Sequence, residues 1–308
     1  ARGFLSAIEM NEAVKIDPAQ SGRLQLARWL THPQHPLTAR VMVNRIWHHL
    51  FGQPIVATPD DFGVYGTRPT HPELLDHLAR RFIEEQWSIK RMIRNIVLSR
   101  TYQLDSVPGS GQAAIDPGNT WLSRHSRRRL DAESLRDSIL QASGQLEAKP
   151  RTGSDISQLD ILINWPPGEA PSLHRSVYLC FLRHAPPPEL SAFDLPDGVK
   201  VMGRRHVTTQ PAHGLYLLNN PMVVEQAGLL GKKLIIEAGE TEPDRVRWAY
   251  RRILQRNPSE KELGSSIAFV RSLRGTLNAD NTKTDASIPA WATLCQALLA
   301  SNEFRYID

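Results

Sequence analysis

Residues 37–52 read LTARVMVNRIWHHLFG. At 100° per residue, Ala39, Met42, Val43, Ile46, Trp47, Leu50 and Phe51 share one continuous arc, which predicts an amphipathic helix closed at Gly52. The opposite side holds Asn44, Arg45, His48 and His49, where a surface helix ordinarily carries Lys and Glu. Arg40 falls at the boundary beside Trp47 and Phe51, so its stem can be buried while its fork reaches an internal acid. Asn44 and His48 are one turn apart and point the same way. Two readings follow. Arg40, Asn44 and His48 form part of a binding or catalytic surface, or they belong to a buried hydrogen-bonded network that fixes packing.

Helical spacing continues on both sides of this stretch. SGRLQLARWLTHP (21–33) is a short helix ended by Pro33, and THPELLDHLARRFIEEQ (70–86) opens with the capping-box pair Thr70 and Glu73. SIKRMIRNIVLSRTYQ (88–103) restarts after a break at Trp87 and Ser88, and the Gly-, Pro- and Ser-rich residues 104–120 are a loop. RRRLDAESLRDSILQASGQL (127–146) is a strong helix with Asp131 as N-cap and Gly144 near its end. From 211 onward helical periodicity returns, with entries at Thr241–Asp244 and at the capping box Ser259–Glu262. Between these halves, residues 145–210 are Pro-rich and contain one expected strand, RSVYLCFLR (175–183). The fold expected is mainly α: a multi-helical domain with a small irregular β-containing lobe. It comprises an N-terminal helical part (1–144), the irregular lobe (145–210) and a C-terminal helical part (211–308), together forming one compact domain.

Composition bounds the function. No apolar run of the 308 residues approaches the roughly 18 of a membrane span. The formal charge is +5, and of 37 basic residues eight are Lys and 29 Arg. Arginine's planar fork binds carboxylate, sulfate or phosphate bidentately, so the imbalance points to internal ion pairs or an acidic ligand. A GC-rich genome gives the same imbalance. The basic residues are interspersed with acids and no nucleic-acid module is visible, which argues against nucleic acid as partner. Cys180 and Cys295 form no metal or haem-attachment pattern, and Cys295 shares an apolar helical face with Trp291, Leu298 and Leu299. No metal site is expected, because His32-x-x-His35 and His48-His49 lack convergent further ligands. G-x-S-x-G, P-loop, G-x-G-x-x-G and HExxH patterns are all missing.

Two further clusters carry possible chemistry. Glu133 and Asp137 are four apart on one helical face, a like-charge pair that needs a cation opposite; Arg129 can reach Glu133 from one turn earlier. The same two carboxylates can serve as an acid/base pair if their environments separate their pKa values. GRRHVTTQP (203–211) places Arg204, Arg205, His206, Thr208 and Thr209 in a loop opened by Gly and closed by Pro. These donors can grip an anion, or can accept Glu133 and Asp137 and pin the irregular lobe to the helices. The polar side of 37–51 is expected to face a cleft whose other wall is 127–137 and 203–210.

The strings LARWLTHPQHPLTARVMVNRIWHHLFG, TPDDFGVYG, SIKRMIRNIVLSRTYQ, RRRLDAESLRDSIL, GRRHVTTQPAHGLYLLNNP and LCQALLASNEFRYID, in that order, resemble the planctomycete secreted domain, domain of unknown function 1553. The resemblance covers nearly the whole chain. It implies an exported, extracytoplasmic module at the C-terminal end of a larger polypeptide, often with a c-type cytochrome upstream. This chain has no CxxCH, so any haem c belongs to upstream domains, and no cofactor is expected here. The start, ARGFLSAIEM, lacks a basic cap before an apolar run and is read as the start of a fragment. The resemblance carries no catalytic residue. Three functions therefore stand: binding an acidic polysaccharide or a partner protein, a carbohydrate-active hydrolase or lyase using Glu133, Asp137 or His48, and a purely structural domain.

Overall fold

The computed structural model describes residues 2–8, 10, 15–152, 172–179, 181, 186–196, 198–199, 202–279 and 287–307. The protein is mainly α-helical, with a two-stranded sheet of β1 (Arg128–Arg129) and β2 (Tyr306–Ile307). Among the described residues no helix is long and apolar enough to cross a membrane. The chain forms two compact units, 1–128 with 202–204 and 308, and 129–201 with 205–307.

The first unit contains α1 (Arg23–Leu30), α2 (Thr38–Phe51), α3 (Pro72–Glu84), α4 (Ile89–Val97) and the single turn α5 (Gln112–Ile115). The apolar arc of α2 packs on α3 and α4 as its spacing predicts, burying Val43, Ile46, Trp47 and Phe51 with Phe82 and Met92. Each such side chain contributes about 1.5–3 kcal/mol of apolar burial. Gly52 ends α2 at φ 78°, a left-handed conformation that glycine adopts without strain. The entry to α3 differs from expectation. His71 occupies the N-cap and Pro72 the first turn, while the Thr70 hydroxyl turns back to the Ile55 carbonyl, so the box with Glu73 does not form. Proline at this position lacks one of the amides that would otherwise be left without a partner, and its fixed φ suits the first turn. Ser88 caps α4 after Gln86 and Trp87, both at positive φ, break the chain.

The second unit contains α6 (Ala132–Ser143), α7 (Pro188–Ser191), α8 (Pro211–Asn219), α9 (Pro221–Glu237), α10 (Glu242–Leu254), α11 (Glu260–Ala279), α12 (Ser287–Leu299) and α13 (Asn302–Arg305). Its core centres on α9 against α12, with Leu230, Leu234, Trp291 and Leu299 buried. The expected caps are present: Asp131 accepts from Ser134 N, Thr241 from Asp244 N, and Ser259 and Glu262 bond reciprocally. Cys295 lies in the core with Trp291, Leu298 and Leu299, and burial pushes its thiol up to about 12. The strand expected over 175–183 is replaced at Ser176–Tyr178 by a 3-10 turn. The Asp137 carboxylate accepts both the Ser176 amide (2.8 Å) and hydroxyl (2.7 Å), which bends the chain here instead of leaving it free for a ladder. Cys180 and residues 182–183 lie outside the described residues.

Candidate functional site

The residues singled out in the sequence divide between the two units. Arg40, Asn44, His48 and Arg204 belong to the first; Arg129, Glu133, Asp137, Arg205, His206, Thr208 and Thr209 belong to the second.

In the first unit, Asn44 sits on the polar side of α2 yet is fully buried. The 53–56 segment returns over the helix, so Asn44 Oδ1 accepts the Val56 amide (2.8 Å) while its Nδ2 donates to the Val56 carbonyl (3.1 Å). Both backbone groups of Val56 are thereby satisfied without a strand partner. Arg40 finds its acid in Asp76, with Nε donating at 2.6 Å, and also donates to the Pro36 carbonyl. That hydrogen bond holds the Asp76 carboxyl below its ordinary value.

His48 has a different environment. Its Nδ1 is buried and has no hydrogen-bond partner among the described residues. Burial first, then the neighbouring His49, Arg204 and Arg128, hold its pKa below the ordinary 6.5, so the ring is neutral at pH 7. Arg128 donates from one nitrogen to the His49 carbonyl while its buried Nε has no partner among the described residues. Arg204 is exposed and makes no hydrogen bond or ion pair among the described residues. Arg128 also lowers the pKa of buried His125, after burial itself. The nearby carboxylate, Asp60, is already engaged. It accepts from the Gly203 amide at 2.5 Å and pairs with Arg45 at 3.4 Å. Gly203 permits that approach, since a Cβ there would meet the Asp60 oxygens at 2.3 and 2.8 Å. Asp60 thus holds the 202–204 segment by its backbone and leaves the Arg204 side chain unpaired. The result is a group of Arg204, Arg128 Nε and His48 Nδ1 for which no anionic partner is found among the described residues.

In the second unit the arginines singled out in the sequence do meet acids. Arg205 binds Glu133 through two nitrogens at 2.6 and 2.8 Å, which raises the arginine's own pKa. Asp137 lies beside Arg136 (3.7 Å) and Arg175 (3.8 Å) besides holding Ser176. Glu133 and Asp137 are therefore taken up separately, each by its own donors. Arg129 does not pair with Glu133 as its spacing suggested. It is nearly buried and donates to Asp194, which also accepts from the Thr208 amide (2.9 Å) and hydroxyl (2.7 Å). Burial raises the Asp194 carboxyl, but the Thr208 bonds and Arg129 outweigh it and the net shift is downward. Asp194 stands at φ 54°, a conformation aspartate tolerates better than most residues. The adjacent His213 stacks on Phe193 with ring centroids 4.9 Å apart, and burial, then Arg129, lower its pKa. His206 and Thr209 are exposed.

Sequence reasoning found His48 and Arg204 but missed Asp60, Asp194 and the part played by Arg128. Nothing in local spacing links Asp60 to Gly203, 143 positions away. Among the described residues no group of three or more His, Cys, Asp or Glu could hold a metal ion. A family model described as Protein of unknown function (DUF1553) matches residues 22–270. No curated protein and no solved structure is detectably similar.

Proposed function

The chain belongs to the family of proteins of unknown function DUF1553, and we propose that it is a recognition module that binds the carboxylate or sulfate groups of an acidic polysaccharide. The observation that carries this reading is the group of Arg204, Arg128 Nε and His48 Nδ1, none of which has a hydrogen-bond partner among the described residues. A bound anion would supply the missing charge, and two guanidinium groups suit the planar geometry of carboxylate or sulfate. An exported setting, as the family resemblance implies, would bring such a module into contact with extracellular polymers.

The test is thermal unfolding of the chain in a panel of glucuronate-containing, sulfated and neutral polysaccharides, at low and moderate salt. A ligand that binds only the native state raises the midpoint, by about 2.7 kcal/mol of stability at a hundred times Kd. The reading expects a rise with acidic polymers that survives moderate salt and is lost in the double variant Arg204→Ala, His48→Ala. A flat panel, or a rise of equal size in that variant, refutes it.

A further inference from the structure

The second unit carries a separate cavity of about 390 Å³ between the C-terminal end of α9 and the outer face of α10. On α10 the residues Asp244, Arg247, Trp248, Arg251 and Arg252 recur at three- and four-residue spacing and form one stripe along its wall, facing Glu237 from α9. Arg252 is committed, donating to the Ala142 and Gln141 carbonyls at the end of α6. Arg247 pairs with Asp244 at 3.3 Å. Among the described residues Arg251 uses only its Nε, on Asn257, and its terminal nitrogens have no partner. Trp248 packs partly against the core, and its indole N–H has no partner among the described residues. Glu237 is exposed and also has no partner among the described residues.

We propose that this cavity binds one acidic sugar residue, with its apolar ring face against Trp248 and its carboxylate or sulfate on Arg251. An indole offers a flat apolar platform with a donor at its edge. The free fork of Arg251 supplies bidentate anion recognition seven residues, or two helical turns, beyond Asp244. The exposed Glu237 carboxylate can accept hydrogen bonds from ring hydroxyls, while Asp244 is already engaged by Arg247 and the Thr241 hydroxyl. Both carboxylates also repel a ligand dense in phosphate, which favours a hydroxyl-rich ring with a single anionic group over a nucleotide stacked on the same indole. The volume lies at the lower end of the roughly 300–1,000 Å³ of small-molecule sites, enough for one ring and not for a long segment. Its residues are distinct from the His48 group, and binding here does not depend on that group.

The experiment is NMR of the whole chain, following the indole N–H resonance that Trp248→Phe removes. The probes are a glucuronate hexasaccharide, a sulfated glucose hexasaccharide, maltohexaose and adenosine monophosphate. Saturable movement with either acidic sugar, at least tenfold weaker with maltohexaose, supports the site, and the tighter of the two acids names its anion. Arg251→Gln, which leaves the Trp248 packing intact, is expected to weaken the acidic sugar about tenfold. The variant Arg204→Ala, His48→Ala is expected to leave this resonance's response unchanged. An indole that does not move, that responds equally to maltohexaose, or that responds to the nucleotide in preference to the sugars overturns the proposal.

Discussion

Replacing Asn44 by Ala removes a side chain that is fully buried and bonded at both ends to the Val56 backbone, at 2.8 and 3.1 Å. Neighbouring Ile55 and Val56 are each only 2% exposed, so water reaches the orphaned groups poorly. An unsatisfied buried donor or acceptor costs about 1–3 kcal/mol, and two are created. Loss of side-chain volume adds a smaller amount, and partial hydration of the new cavity offsets some of the total. The expected destabilisation is about 2–5 kcal/mol, a large fraction of the roughly 5–15 kcal/mol available to a folded protein. Urea unfolding measures the total, while hydrogen exchange at the Val56 amide reports the same bond locally. Arg45→Ala is the control on the same side of the helix. Its 3.4 Å pair with Asp60 joins two side chains that are each nearly half exposed, and its loss is expected to cost less than about 1 kcal/mol. If Asn44→Ala lies within 1 kcal/mol of the native chain and the Val56 amide stays protected, the assignment of Asn44 to architecture is wrong.

Two glycines of α9 should respond in opposite directions to alanine. A Cβ on Gly231 would meet the Ala292 backbone at 2.8–2.9 Å, so Gly231→Ala is expected to destabilise by about 1–3 kcal/mol in denaturant titration, whereas Gly228, with nothing within 4 Å, should gain up to about 1 kcal/mol from better helix propensity. Arg256 clamps Glu262 and Glu303 and holds Glu262 at about 2, below its ordinary 4.5. A carboxylate depressed in the folded state stabilises fully above its unfolded value and loses that stability as pH falls through the folded one. Arg256→Gln should therefore cost about 1 kcal/mol at pH 7, a figure reduced for the partial exposure of all three side chains, and the difference from the native chain should shrink from pH 4.5 towards pH 2. A difference that grows on acidification would contradict the assignment.

The helices were legible because their signals are local. The apolar arc of α2, the Asp131, Thr241 and Ser259 caps and the left-handed glycines after α2 and α6 all act within a turn or two. Ser176–Tyr178 was misread because a carboxylate 39 positions earlier, Asp137, captures its amide and hydroxyl and overrides strand propensity. The polar residues followed the same rule. The acid of Arg40, Asp76, lies 36 residues away and has no spacing signature. Arg129 has Glu133 within helical reach, yet helical φ/ψ starts only at Ala132, so the arginine precedes the helix and turns to Asp194. Asn44 and His48 share one helix side and have opposite environments. What separates them is the fold-back of Val56 over one and the approach of Arg128 and Arg204 to the other.

The most direct test of the anion-binding account is the NMR titration of the His48 ring in the free chain and with a saturating glucuronate oligosaccharide. Burial first, then His49, Arg204 and Arg128, press protons off this ring, and an anion held between the two arginines is expected to offset their share and raise its basicity. By linkage, the ligand must bind more tightly as pH falls below 6.5, where His48 in the complex takes up its proton. The account predicts an apparent pKa below 6.5 in the free chain that rises when the oligosaccharide binds. A His48 titration unchanged at full occupancy would place the ligand elsewhere and contradict it.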